Sequence, residues 1–539
     1  MSTYKGFSSV ELRRPTRSTF NLSHEKRISS RIGKLTPCFI TETMPNDTFY
    51  GSTEVLVKLA PLVAPIYHRL NLYVHYFFIP NRLLWEDWED FITGGRTGEA
   101  VTTPPVPPYV PISTLQGFGQ NYLNLGSIAD YLGVPPITDT DPEWANGAKL
   151  DCMPFAAFYR CWYDYYRDRN YIPDNEALPM PSGDGASLEF FKTRYRCWEH
   201  DYFTSALPFT QRGVEVLMPL QGSGNVTYLN TSEIYQSGTN IAPGASTLVG
   251  TNAAGTPDLK GGKTTNLTDG QSVRLENIDT VDIVNSDVSI NDLRRAVRLQ
   301  EWLERNALAG SRYNESIMAH FGRKTSDSRL QRAEYLGGGK AVIQISEVMT
   351  TAYSEDGASE VVPPGNQAGR GSTYADTNRF SYNCEEHGFI VGILSVMPTS
   401  GYMQGLPRMF HNRNTFLEYP WPTFAHLGEQ EVYQSELFMD STTLPLDRTT
   451  QPIFGFQSRY SDWKYIPSSS HGDFRETLDF WHLTRKFVSA PTLDEPFVTF
   501  EDELQDRVFN VSGVDTLWMY VYNKINVKRS LPYFGTPML

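Results

Sequence analysis

Apolar and polar positions along the chain change period several times, and each change marks an element. Residues 70–79 (Leu-Asn-Leu-Tyr-Val-His-Tyr-Phe-Phe-Ile) form a nearly unbroken apolar and aromatic run that stops at Pro80-Asn81, which predicts a buried strand. Trp85, Trp88 and Phe91 then recur at helical spacing before Gly94-Gly95, which predicts a short amphipathic helix. From Thr36 onward the pattern is strand-like, with Asp47–Gly51 read as a turn and Glu54–Ala60 as a strand. Residues 154–170 read as a helix with Pro154 in its first turn; Phe155, Phe158, Tyr159, Trp162, Tyr165 and Tyr166 give it a ring-rich stripe suited to packing on a sheet. Ser289 is a good N-cap, with Asp292 three residues on, for a helix striped by Leu293, Ala296, Val297 and Leu303 and ending near Gly310. Further strands are expected at 341–349, 388–397 and 516–522.

Between these elements the patterning lapses. Residues 1–36 are polar and basic without a clear period, an arm rather than a core element. Residues 96–115 carry Pro104, Pro105, Pro107 and Pro108 and are expected as an extended loop. From about Gln221 to Asp287 the chain is rich in Gly, Thr, Asn and Ser, and its only aromatics are Tyr228 and Tyr235. Such a stretch contributes little to a core, so it reads as one large insertion, held by short strands such as 224–229. The resulting division is an arm at 1–36, a first part of the main fold at 37–220, the insertion at 221–288 and the remainder at 289–539.

Composition narrows the class. Across 539 residues, 13% are aromatic, and 41 Gly and 35 Pro accompany them, which favours sheets and long ordered loops over a helical bundle. The formal charge of −14 excludes a uniformly cationic nucleic-acid binder. Positive charge is nevertheless gathered in two tracts, one before Thr36 and one from Arg294 to Lys340. The five cysteines are scattered and never spaced as Cys-x-x-Cys, which argues against a disulfide framework or zinc site and fits a reducing cytoplasm. No signal-peptide run opens the chain, and no apolar run has the length of a membrane span, so no membrane insertion is expected.

Candidate chemistry is sparse. Gly262-Lys263-Thr264 imitates the end of a phosphate-binding loop, but Pro257 stands where that motif needs Gly. Leu336-Gly-Gly-Gly-Lys340 precedes a strand instead of opening a helix and reads as a loop. The ten histidines contain no pair at zinc-protease spacing, and no cofactor is expected. The cluster Trp85, Glu86, Asp87, Trp88, Glu89 and Asp90 sets carboxylates beside rings, as sugar hydrolysis would need, although neighbouring helical residues point apart. The basic segment is the stronger site: Lys and Arg interleaved with Ser and Thr neutralise phosphates without reading sequence. Its candidate residues are Arg13, Arg14, Arg17, Lys26, Arg27, Arg31 and Lys34.

The wording of 75–95 closely resembles the major capsid proteins of gokushoviruses, single-stranded DNA bacteriophages of the microvirus family. Arg17–Lys26, Asp201–Pro208, Asn291–Asn306, Tyr335–Lys340, Glu385–Gly388 and Phe424–Glu431 resemble further blocks of that family in order. The resemblance implies a mainly β fold: an eight-stranded viral jelly-roll β-sandwich with long inter-strand insertions and a few short helices. It implies no catalysis, and self-assembly into a small icosahedral shell around circular single-stranded DNA, with assembly in the bacterial host cytoplasm. Partners would be further copies of the chain, the genome, a small basic DNA-packaging protein, other virion proteins and a host cell-surface receptor. The insertion would form surface protrusions for host attachment, with Tyr228, Tyr235, Lys260 and Lys263 as candidate receptor-binding residues. Loops 96–115 and 399–425 are the candidate subunit contacts. The competing reading is a carbohydrate-binding or carbohydrate-active β-sandwich, which would be a monomer or small oligomer and not a closed particle.

Overall fold

The computed structural model describes residues 16–93, 105–115, 121–136, 147–173, 177–211, 290–309, 331–349, 367–426, 428–440, 451–511 and 513–534, with short strands between 234 and 275 and a few positions at 318–326 and 354–362. Nine strands make the main sheet: β1 (Ser18–Asn21), β2 (His24–Ser30), β3 (Thr36–Thr43), β4 (Thr48–Leu59), β5 (Leu70–Pro80), β6 (Glu334–Met349), β7 (Gln367–Asn383), β8 (Gly388–Pro398) and β9 (Leu517–Arg529). Their order is β1-β9-β4-β7-β6-β5-β8-β3, with β2 also on β9, and every pairing is antiparallel. β1 and β2 hold one register against β9, from Ser18 opposite Arg529 to Ser30 opposite Leu517, so they act as a single strand and the sandwich is eight-stranded.

The sheet curls because β6 and β7 each serve both halves. β6 pairs β5 through Glu334–Ile343 and β7 through Gln344–Met349. β7 in turn leaves β6 at Ser372 to run beside β4. One half-sheet (β1/β2, β9, β4, β7) thereby faces the other (β6, β5, β8, β3). Alternation fills the space between them: Phe49, Val55 and Val57 of β4 and Val521, Ile525 and Val527 of β9 meet Leu72, Val74 and Phe78 of β5 and Ile390, Leu394 and Val396 of β8. Each such buried side chain contributes roughly 1.5–3 kcal/mol. A polar pin crosses the same core. Tyr76 donates to Thr53 Oγ1, Thr53 donates to Asn523 Oδ1 at 2.8 Å, and Asn523 Nδ2 donates to the Cys38 carbonyl at 3.1 Å.

The second face of β5 and β8 is covered as well, which explains why residues 70–79 read as a continuous apolar run. Phe77, Ile79, Val391 and Ile393 pack under a helix, α2 (Met153–Cys161), whose Phe155, Phe158 and Tyr159 point down onto them. A π-helical turn, Trp162–Tyr166, continues α2. A third apolar cluster, including Phe203, Tyr402, Val432, Phe454 and Phe497, holds the long loops between β8 and β9 together.

Several expectations are corrected. The turn read at 47–51 lies earlier: Asn46 takes a left-handed φ of 73°, the Met44 N–H donates to the Asp47 carboxylate at 3.1 Å, and β4 is already extended at Thr48. The arm read at 1–36 is sheet from Ser18, because Ile28 and, beyond β2, Ile32 and Leu35 supply buried positions that the intervening polar residues mask. Gly33 follows at φ 83°, against the Phe500 ring, where a Cβ would lie 2.1 Å from the ring edge. The helix read from Trp85 is shorter, α1 (Trp88–Thr93); Trp85 is buried ahead of it, its indole N–H donating to Ser182 Oγ at 2.9 Å. Within 96–115, Tyr109–Pro111 pairs with Lys149–Asp151 and Val110, Ile112 and Leu115 are buried, so this part of the expected loop is folded into the body. The strand expected at 224–229 lies outside the described residues.

The chain divides into two compact units, Met1–Thr210 with Asn306–Leu539, and Gln211–Arg305. Within the second unit Ile234–Gln236 pairs with Thr239–Ile241 and Val273–Leu275, and Val249–Thr251 pairs with Pro257–Leu259. Most of α3 (Ile290–Ala309) also falls within it.

Truncating Phe49 tests where the core lies. Phe49→Ala is expected to lower stability by about 3–5 kcal/mol, measured by denaturant unfolding of the isolated subunit. A decrease below about 1 kcal/mol would place Phe49 outside the core.

Candidate assembly and nucleic-acid surfaces

The cations of the first segment hold the N-terminal strand in place. Arg17 donates to the backbone carbonyl of Lys528 at 3.0 Å and to Thr48 Oγ1 at 2.6 Å, joining β1, β9 and β4 at one end. Lys26 donates to the Tyr131 carbonyl at 3.1 Å, and burial pushes its pKa down. Arg31 is clamped between Asp502, at 2.9 Å, and Asp506. Lys34 reaches the Gly126 carbonyl at 2.6 Å and the Tyr131 hydroxyl at 3.3 Å, and burial again pushes its pKa down. Arg27 differs: it is exposed beside Glu25, 3.3 Å away. Lys26 and Lys34 thus both meet Tyr131, Arg17 and Arg31 are engaged with their own partners, and Arg27 stands exposed; Arg13 and Arg14 lie outside the described residues.

Of the receptor candidates, Tyr235 is the middle residue of the strand Ile234–Gln236, and Tyr228, Lys260 and Lys263 lie outside the described residues. The acidic cluster of 85–90 is partly structural, since Asp87 accepts from Ser182 at 2.6 Å, the hydroxyl that also receives the buried Trp85 N–H. Among the described residues no three His, Cys, Asp or Glu side chains gather as a metal site would require.

The loop following β8 behaves differently from 105–115. Its start is buried, with Tyr402 and Met403 in the core. Beyond it, Met409, Phe410, Phe416, Tyr419 and Trp421 expose between 49% and 67% of their surface. Short turns, Arg408–Phe410, Phe416–Glu418 and Pro422–Phe424, shape the segment. Its backbone is fastened from within. Arg408 is buried against Glu436 at 3.4 Å and donates to the Glu431 carbonyl, and desolvation pushes the Glu436 carboxyl up to about 7. The Trp421 indole donates to the Phe416 carbonyl at 3.0 Å. A fastened backbone thus holds several large apolar side chains out toward solvent in the single subunit. Proline and aromatic content alone points to this loop; which of its rings stand outside is visible only in the fold.

A cavity of about 590 Å³ opens beside β5, lined among others by His75, Tyr166, Arg196, Trp198, Glu199 and Tyr335. Arg196 lies 4.0 Å from the Tyr73 ring centroid, and Tyr73 donates to Glu199. His75 Nδ1 is hydrogen-bonded to the Tyr166 hydroxyl at 2.7 Å, and burial, reinforced by Arg196, pushes its imidazole down to about 4. His68, bonded to the Thr399 carbonyl at 2.7 Å, is likewise pushed down to about 4 by burial.

Comparison with known proteins bears on these surfaces. A family described as "Capsid protein (F protein)" matches residues 8–539. Capsid protein VP1 of Chlamydia phage 1 is 33% identical over 99% of this chain and 97% of its own length. Capsid protein VP1 of Bdellovibrio phage phiMH2K is 32% identical over 91% and 89%, respectively, and that of Spiroplasma virus 4 is 26% identical over 97% and 95%.

The two half-buried histidines predict an acid-sensitive subunit. In the unfolded chain each imidazole takes a proton near 6.5, whereas the folded chain withholds it to about 4. Their contribution is therefore complete above pH 6.5 and disappears as the pH falls toward 4. Melting temperature followed across this window should drop with acid, and His68→Gln with His75→Gln should flatten the dependence.

Proposed function

The chain belongs to the phage capsid protein (F protein) family, a structural and non-enzymatic protein of the virion, and from that premise we propose that its copies close into a small icosahedral shell around single-stranded DNA. The carbohydrate-active alternative falls with that membership. The observation that carries the shell reading is the fastened loop whose Met409, Phe410, Phe416, Tyr419 and Trp421 side chains stand outside their own subunit. A closed shell needs matched surfaces on several sides of each subunit, and heterologous contacts that close under symmetry supply them. Covering such rings with a neighbouring subunit removes their apolar area from water at roughly 25 cal/mol per Å².

The unit Gln211–Arg305 is proposed to project from the shell and meet the host cell surface, with Tyr228, Tyr235, Lys260 and Lys263 as its first candidates. Its few core-forming residues support a role outside the sandwich, and loop closure grows slowly with length, so a sandwich tolerates such an insertion. Arg13, Arg14 and Arg27 remain candidates for contact with the genome, aided by a small basic packaging protein. Assembly in the bacterial cytoplasm suits five unpaired cysteines, Cys38, Cys152, Cys161, Cys197 and Cys384.

Two experiments test these readings. Expressed with whatever virion proteins assembly requires, the chain should give closed particles by electron microscopy. Phe416→Asp with Trp421→Asp should leave soluble subunits with unchanged far-ultraviolet dichroism and no particles, and particles of ordinary yield from that variant would remove the loop from the interface. Replacing 221–287 with a short Gly/Ser linker should leave folded subunits while abolishing attachment to cells; retained attachment would refute the projection's role.

A further inference from the structure

One face of the sandwich carries no covering layer among the described residues. In the half-sheet built from β2, β9, β4 and β7, alternate residues enter the core and the others point away from it. Along β9 the inward set is Leu517, Met519, Val521, Asn523, Ile525 and Val527, all buried. The outward set reads Trp518, Tyr520, Tyr522, Lys524, Asn526 and Lys528. Rings occupy one end of the strand and cations the other.

The register extends this pattern across neighbouring strands. Trp518 lies opposite Lys58 of β4 and Ser29 of β2. Tyr520 lies between Leu56 of β4 and Arg27 of β2, and Tyr374 of β7 stands on the far side of Leu56. Trp518, Tyr520 and Tyr374 are 48%, 37% and 61% exposed. Beyond the rings, Lys524 and Arg379 flank Ser52. Four carboxylates lie on or beside the face. Glu25 pairs with Arg27, Glu54 with Lys524, Asp515 accepts from Ser29 opposite Trp518, and Asp376 is exposed on β7.

These rings sit on β9 and β7, both interior strands, so they do not shield an open sheet edge. Protein interfaces are depleted of Lys at their centres, because an ammonium must be stripped of water there. Lys58 beside Trp518 fits a polyanion better than a neighbouring protein, whereas Lys524 is shared with Glu54. Successive outward residues on a strand stand about 6.8 Å apart, a ladder of flat platforms. Unpaired bases offer π-faces to such platforms, whereas a duplex hides them in its own stack and leaves only phosphates to meet the cations.

We propose that the outward face of β9, with β2, β4 and β7, is a stacking platform for single-stranded nucleic acid. This rests on the capsid reading, in which an enclosed genome supplies the ligand, and it moves the main binding surface from the N-terminal cations as a group to a ring-bearing sheet. Arg27 is the one described residue common to both.

The test uses the full-length chain, with labelled oligothymidylate, a mixed-sequence single strand and a duplex of equal length, followed by anisotropy over a salt series. Single strands should bind more tightly than the duplex regardless of sequence. Trp518→Ala with Tyr520→Ala should weaken single-strand binding roughly tenfold or more and leave duplex binding unchanged, whereas Trp518→Phe should retain most affinity. Lys58→Gln with Arg27→Gln should instead flatten the salt dependence, by about 0.7 in log–log slope for each phosphate left without its cation. As a readout that requires no substitution, bromodeoxyuridine strands packaged in wild-type particles should cross-link to the peptide 517–529. Unchanged affinity in the double alanine variant, equal affinity for duplex, or cross-links confined to other peptides would overturn the proposal. So would burial of this face against a neighbouring chain in particles. Absence of particles with single-strand binding intact would count against the shell and leave the platform standing.

Discussion

The sandwich depends on the pairing of its first strand with its last. β1 and β2 have no partner in the main sheet except β9, and β9 is also the strand that gives β4 its second neighbour. Everything between, including the α2 layer, the second unit and the long loops after β8, is inserted into a framework closed by that pairing. The basic side chains of the first segment serve the same closure. Arg17 ties β1 to β9 and β4, and Arg31 ties the end of β2 to the Asp502–Asp506 turn that precedes β9. Among the described residues, charge that looks in the sequence like a loose cationic tail is therefore largely internal cross-bracing. Because the cost of joining distant segments grows only logarithmically with the length between them, such a framework tolerates long insertions.

How much of this is legible in the sequence follows from where burial is written in apolar residues. β5 and β8 are covered on both faces, so they appear as unbroken apolar runs, and α2 shows its rings at helical spacing. β1 and β2 escape such a reading because some of their inward positions are polar: Ser30 is buried, sharing a hydrogen bond with Thr36 at 2.8 Å. β7 escapes it for a different reason. Its inward positions include Gly369, Gly371 and Ala375, and a Cβ on Gly371 would sit 2.3 Å from the Leu59 side chain, so close packing removes the very residues that signal a strand. The outward rings of β9 are visible as letters, but only the register against β2, β4 and β7 shows that they share a face with cations.

The long loops between β8 and β9 are stabilised by means that periodicity does not reveal. Arg485 is buried over the Phe497 ring at 4.1 Å and donates to the Phe497 carbonyl at 2.8 Å and to Glu501 at 3.2 Å. Arg408 and Glu436 form a more deeply buried contact. A buried guanidinium needs its hydrogen-bond partners held in place, so these contacts commit the loops to one conformation. That commitment lets a segment with little regular structure present its apolar side chains, from Met409 to Trp421, in fixed positions.

The place of β9 also governs the order of events during synthesis. It follows every other strand of the sandwich in the sequence, yet it lies inside the half-sheet, between β1/β2 and β4. While the chain is still on the ribosome, β4 presents an open edge, and the N-terminal strand has nothing to pair with. A nascent or prematurely terminated chain is thus a half-sandwich with unsatisfied backbone donors and acceptors, the kind of species that chaperones and proteases recognise. A chain that stops before β9 lacks the strand that closes the sandwich, so the topology itself disfavours such subunits before any of them meets a partner.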